Sequence, residues 1–337
     1  MSHPLPANAQ LQQFKQAAKH LLRAFNENSE DVREQIEREF TLDSNGDFEL
    51  ANAQFVIARR YGFESWAKLK AHLESKPLSE QMIDAASQGA TEVVDFLLSD
   101  DKKLIDAVGG WQQFRPLFFA EKGGHEETAA ILRHHGATLN VFEAAAFGSV
   151  TELQRILNES AEVANARREH YDATPLHCVR GAGVEAAKCL INAGANVNAT
   201  DAQNLTPLHG RAEHGDLEMV KLLVQSGAKL HAESCMGTPL HAAVGGYQHK
   251  PPKRWREVAE FLREHGADLN FRSHCGVAGD WTPLHHAAWR NHLAAVRWLV
   301  AAGADPAIVN AHGHTAEQTA SHCQHKEIVD SLAEAQS

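Results

Sequence analysis

The segment LTPLHGRAEHG, residues 205–215, places His209, Arg211, Glu213 and His214 within eleven positions. At helical spacing several of these share a face. A carboxylate beside an imidazole can act as general acid and base, and an arginine can hold an anion or stabilise developing negative charge. Similar side chains follow along the chain: Arg180 before it, and Trp255, Trp281, His286, Trp289 and Arg290 after it, with Gly245, Gly246 and Tyr247 between. The sequence has no nucleophile elbow, no glycine-rich phosphate loop and no H-E-x-x-H spacing, so it specifies no reaction type and implies no cofactor.

The elements that carry these residues announce themselves by repetition. TPLH begins at Thr174, Thr206, Thr238 and Thr282, with spacings of 32, 32 and 44, and a weaker copy, HGHTAEQTA, has its threonine at Thr315. Threonine can cap a first helical turn, and proline fits the first helical position, where its missing N–H costs nothing. A second apolar stretch follows each copy and meets a glycine at Gly194, Gly227, Gly266 or Gly303, the residue that best ends a helix. Each unit therefore predicts two short helices. Neither can bury its apolar face alone, so stability must come from stacking neighbours.

These four TPLH copies, their glycine endings and their spacing resemble the ankyrin repeat family. Three degenerate copies precede them: MIDAASQGATEVVDFLLSD (82–100), RPLFFAEKGGHEETAAILRHHGATLN (115–140) and FEAAAFGSVTELQRILNES (142–160). The resemblance implies an all-α ankyrin-repeat solenoid of helix pairs and short hairpin fingers. About eight repeats span 81–337, with insertions near 245–255 and 273–281, behind a small helical domain or cap at 1–78. In that domain LQQFKQAAKHLLRAF carries a helical apolar stripe, and AQFVIARRYGFESWAKLKAHLE resembles a helical module found ahead of ankyrin arrays in bacterial proteins. DSNGDFELANAQ (43–54) imitates a calcium loop at Asp43, Asn45 and Asp47. It has Phe48 where the loop glycine belongs and Gln54 at the bidentate position, so a polar turn is expected.

Measured against its own repeat, the opening cluster divides. Thr206, Pro207, Leu208, His209 and Gly215 are repeat grammar; the resemblance implies that His177, His209, His241 and His285 tie adjacent repeats through backbone hydrogen bonds. Arg180 and Arg211 stand in small-residue slots of the inner helix. The two variable slots beyond, which in this family face the concave surface, hold Glu213 and His214, then Gly245 and Gly246, then Trp289 and Arg290. That sequence of residues reads as a pocket floor with bare backbone between two walls. The insertions would add Tyr247, Lys250, Lys253, Arg254 and Trp255 at one edge, and His274, Asp280 and Trp281 at the other. His312, His314, His322, Cys323 and His325 lie across different elements and are not expected to converge on a metal ion.

The net charge of −11 and pI near 6.0 argue against nucleic acid as the main partner. Five cysteines without a C-x-x-C pair read as free thiols. With no run of 18 apolar residues and no signal-like N-terminus, a soluble cytoplasmic protein with no membrane partner is expected. The first functional expectation is a scaffold that captures another protein on its concave face near residues 180–290. The alternative is a small-molecule site or enzyme in the same groove, with Glu213 or His214 as acid or base and Arg211 among the anion-holding groups. A regulatory role with the N-terminal module as effector is a third reading.

Overall fold

The computed structural model describes residues 11–27, 32, 36, 48–61, 63–74, 77–110, 113–169, 171–181, 183–245, 254–274 and 279–336. Among them the secondary structure is helical, with isolated bridges at Gly109–Phe114, Ser234–Gly237 and Ser273–Trp281 and no strand. Two compact units divide the chain, Met1–Leu139 and Asn140–Ser337.

In the first unit, α1 (Leu11–Asn26), α2 (Leu50–Arg60) and α3 (Trp66–Glu74) enclose a core of their own. Phe14, Ala18 and Phe25, on one stripe of α1, meet Ala53, Val56, Ile57 and Leu69, and Phe14 packs edge-on to Tyr61. The calcium-like segment lies mostly outside the described residues; Phe48, in its disqualifying position, is buried against Phe25. Two helix pairs follow: α4 (Leu78–Gln88) with α5 (Thr91–Asp100), and α6 (Pro116–Lys122) with α7 (Glu126–His134). Tyr61 feels the charge of Glu92 on α5, which places the end of α2 beside the first pair.

The second unit repeats one pattern. Its inner helices are α8 (Val141–Phe147), α10 (Pro175–Cys178), α12 (Pro207–Glu213), α14 (Pro239–Gly245), α16 (Pro283–Trp289) and α18 (Ala316–His322). The outer helices are α9 (Val150–Glu159), α11 (Val184–Asn192), α13 (Leu217–Gln225), α15 (Trp255–Glu264), α17 (Leu293–Ala301) and α19 (Lys326–Gln336). Leu153, Leu190, Leu208, Leu223, Leu240, Leu262, Leu284 and Leu299 are all buried, one or two per repeat, each contributing about 2 kcal/mol of apolar burial. Gly194, Gly227, Gly266 and Gly303 have φ between +89° and +101°, so the left-handed turn after α11, α13, α15 and α17 requires glycine. A side chain would meet nothing at any of the four, so backbone conformation and not space selects them.

Two copies without TPLH, at α8 and α18, keep its first turn by other means. Asn140 and Glu143 form a reciprocal capping box at α8, each side chain 2.9 Å from the other's backbone nitrogen. At α18 Thr315 and Gln318 do the same. One inner helix departs from expectation. α10 is a single turn, because Val179 is extended (ψ 132°) and Gly181 is left-handed (φ +52°) within the glycine-rich VRGAG.

Among the described residues no helix is long and apolar enough to cross a membrane. Cys178, Cys189, Cys235 and Cys323 are free thiols, and Cys275 lies outside the described residues.

Candidate functional site

The TPLH histidines form a ladder between repeats. In each, the imidazole Nδ1 accepts from the threonine backbone N–H, at 3.1 Å in Thr174–His177 and Thr206–His209, and the threonine hydroxyl lies 2.8–2.9 Å away. The ring thus replaces the glutamate of an ordinary capping box. Its Nε2–H then donates across to the next finger: His177 to the Leu205 carbonyl at 2.9 Å, His209 to Gly237 at 3.0 Å, His241 to Trp281 at 2.8 Å and His285 to His314 at 2.9 Å. These bonds fix the neutral Nε2–H tautomer. Burial pushes all four rings below the ordinary value, His209 and His241 to about 4. Their duty is structural, as the resemblance implied.

Histidines at the start of the outer helices work similarly. His125 bonds the Ser87 carbonyl at 3.0 Å, His292 that of Val244 at 2.7 Å and His325 that of Ala288 at 2.9 Å. His314 and His322 stack edge-on in the last repeat, and among the described residues no three His, Cys, Asp or Glu side chains are grouped to hold a metal ion.

Set apart from this scaffold, several residues that depart from repeat grammar gather around the end of α16. Trp281 is delivered by the lengthened finger, whose base is closed by the Ser273–Trp281 bridge and by Asp280, which accepts from Arg272 at 2.9 Å and from His274 at 2.6 Å. The indole meets Trp289 edge-on with ring centroids 5.3 Å apart. Arg290 lies over Trp289, its guanidinium carbon 4.5 Å from the ring centroid, and His286 stacks nearly parallel to Trp289 at 5.9 Å. Trp289 itself is 38% exposed, a large apolar ring held in a fixed pose at the surface.

The pocket floor expected at Gly245 is filled. A Cβ added there would lie 2.6 Å from the His286 ring, so the missing side chain makes room for the neighbouring helix. His286 is buried and donates Nδ1–H to the His241 carbonyl at 3.0 Å, and burial drives its pKa to about 3. Gly246 and Tyr247, with Lys250 and Lys253, lie outside the described residues. Trp255 does not join the cluster. It packs edge-on against His292 and Trp298 of the outer-helix layer, with centroids 4.7 and 6.0 Å away, because it starts α15.

On the other side of α14 stand the α12 residues. Glu213 is half-buried; burial raises its pKa while Arg290 and Arg211 pull it down. It therefore feels two cations, one from its own helix and one from the end of α16. Arg211 is 9% exposed, and Asp216 and Glu213 act on its guanidinium through space, with no hydrogen bond to either among the described residues. Arg180 is exposed in the turn after α10 and not on an inner helix, a consequence of the early break; its charge still reaches Arg211. His214 commits its Nδ1–H to the Gly210 carbonyl at 2.7 Å within its own helix, and burial lowers its pKa. Among the described residues no hydrogen bond joins Glu213 to His214, so the two do not form an acid–base dyad. What remains is a surface of aromatic rings and guanidinium groups with one carboxylate between.

Phe147 belongs beside this set and was not anticipated. It is 46% exposed and falls seven residues after the Asn140 cap, the register slot of Glu213, Gly245 and Trp289 in their own repeats. The Asn-x-x-Glu capping signature would have set that register from sequence.

A family model for ankyrin repeats matches residues 141–234, 182–273, 212–310 and 256–337. Among similar proteins, ankyrin repeat protein nuc-2 of Neurospora crassa is 28% identical over 168 residues, 50% of this chain and 15% of that protein. Inversin of Canis lupus familiaris is 29% identical over 162 residues, 48% of this chain and 14% of that protein. Human ankyrin repeat and SOCS box protein 16 is 31% identical over 218 residues, 60% of this chain and 46% of that protein. The chain thus spans less than half the length of these relatives. They are eukaryotic, and lend no support to the bacterial association of the N-terminal segment.

Proposed function

The chain belongs to the ankyrin-repeat family, whose repeats generally mediate protein–protein interaction, and we propose that it captures a partner protein on the inner-helix face of residues 180–290. The observation that carries this reading is the Trp281–Trp289–Arg290 cluster. Exposed tryptophan and arginine are the side chains most often found to dominate protein interfaces, and here each is immobilised by the other and by His286. A pre-ordered anchor loses little conformational entropy on binding. The cluster also occupies slots that repeat stacking leaves free to vary, so the scaffold does not need tryptophan there. We further assign residues 1–78 as an N-terminal helical cap, residues 81–337 as an array of about eight repeats, and the cytoplasm as the site of action.

The test is a pull-down from lysate of the source organism with mass-spectrometric identification, run with the full chain and with Trp289→Ala/Arg290→Ala. The double variant should lose the specific partner while keeping its melting temperature, since Trp289 is exposed and neither side chain forms the repeat ladder. Undiminished capture by the double variant would move the interface elsewhere.

A further inference from the structure

Two hydrogen-bond donors on this face have no acceptor among the described residues. The Nε1–H of Trp281 and the Nε–H of Arg290 are buried and unpartnered. The guanidinium of Arg211, nine-tenths buried, makes no hydrogen bond to a described residue and senses its acidic neighbours only through space. A buried donor left unmade costs roughly 1–3 kcal/mol, more when charged, and an isolated fold has little reason to place two side by side. Trp281 and Arg290 both pack on Trp289, so their donors border the same exposed ring. Arg211 and Arg290 both act on Glu213 through space.

We infer that this face takes a carboxylate-bearing segment of its partner protein, an Asp or Glu beside an apolar side chain. The carboxylate accepts from Trp281 Nε1–H and Arg290 Nε–H, and the apolar neighbour lies on Trp289. The inference rests on the interaction-face reading above and adds the chemistry of what is bound. An acceptor is required because the two vacancies beside Trp289 are both donors. Arg211 supplies further positive charge deeper along the face. Glu213 decides between anions: a carboxylate brings one negative charge beside it, whereas a phosphate brings nearly two and meets more repulsion. A charge-assisted hydrogen bond from a guanidinium or indole N–H in a partly dry site is stronger than a neutral one, so the donors give specificity as well as affinity.

The probe is a random dodecapeptide phage library selected on the full-length chain, followed by affinity measurements of the enriched peptides. Enriched peptides should carry Asp or Glu next to an apolar residue, and the amide version of that acid should bind about tenfold or more weakly, the range of a lost charge-assisted bond. Trp281→Phe keeps the ring and removes only the N–H; it should weaken binding several-fold or more without lowering the melting temperature. Arg290→Gln should weaken it further, and Glu213→Gln should tighten it. A phosphoserine in place of the acid should bind less well than glutamate.

Peptides that lose binding to Trp289→Ala/Arg290→Ala yet carry no acid, or bind Trp281→Phe and Arg290→Gln as well as the parent, would sink the carboxylate and leave the interaction face standing. Tighter phosphoserine binding would also overturn the choice of carboxylate. Peptides indifferent to Trp289→Ala/Arg290→Ala, or no enrichment at all, would count against both the face and its chemistry.

Discussion

Each TPLH histidine holds two jobs that only a neutral imidazole can combine, accepting at Nδ1 from its own helix cap and donating at Nε2 to the next repeat. Protonation would put a hydrogen on Nδ1, directly against the threonine N–H that it now receives. Burial holds His209 and His241 near pKa 4, against 6.5 for an unperturbed ring. The folded values are depressed, so the unfolded chain binds protons that the native rings refuse. Their stabilisation is full above pH 6.5, falls as pH drops through the interval from 6.5 to about 4, and levels off below that. At about 1.4 kcal/mol per unit, these two rings would each withdraw about 3 kcal/mol across the interval. Urea unfolding at pH 7, 6 and 5 should show the midpoint falling steeply between the last two. A midpoint that stays level over that range would mean the rings titrate normally and the ladder is not closed as described. Arg211, Glu213 and His214 looked like catalytic chemistry in sequence; the structure separates them by partner, which residue type alone could not do.

The inner helices show how far element-level grammar reaches and where it stops. Proline at the first turn, glycine at the last and the spacing of TPLH locate the helix pairs from sequence, because each is set by backbone constraints local to a few residues. Gly245 was legible as a departure but not as to its cause. Nothing local says that the His286 ring, 41 residues away, would occupy the place of its side chain. Likewise Arg180 has the slot number of an inner-helix residue, and only the break at Val179 removes it from the helix. The Gly245–His286 contact makes a sign-changing prediction. In an exposed helix Gly→Ala gains up to about 1 kcal/mol, but here the new methyl must displace a ring pinned by the His241 carbonyl and by Trp289, an overpacking cost of about 1–3 kcal/mol. Gly245→Ala should therefore destabilise the protein by about 1–2 kcal/mol in denaturant melts. In a His286→Ala background the same change should be neutral or stabilising. Equal effects in both backgrounds would show that the ring is not what the glycine accommodates.

For the molecule as a whole, stability in a stacked array is close to a sum of each repeat's own terms and those between nearest neighbours. The unit Asn140–Ser337 contains all four TPLH histidines, every carbonyl they bond, and the Trp281–Trp289–Arg290 cluster. It begins at the Asn140–Glu143 capping box, so cutting there leaves that helix's first turn complete. In α19, Ile328 and Leu332 are buried while other positions meet solvent. These features predict that residues 140–337, expressed alone, fold cooperatively. The fragment should retain the acid-sensitive unfolding of the full chain between pH 6.5 and 4, because the groups responsible and their partners are all inside it. It should also bind the acidic peptides selected on the full chain with affinity within a few-fold. Circular dichroism melts at pH 7 and pH 5, together with peptide titration, check both points. A fragment that unfolds without cooperativity would show that residues 1–139 are required to complete the array's core. A fragment that folds but fails to bind would place part of the recognition surface in those residues, an outcome that the location of Trp281, Trp289 and Arg290 within 140–337 argues against.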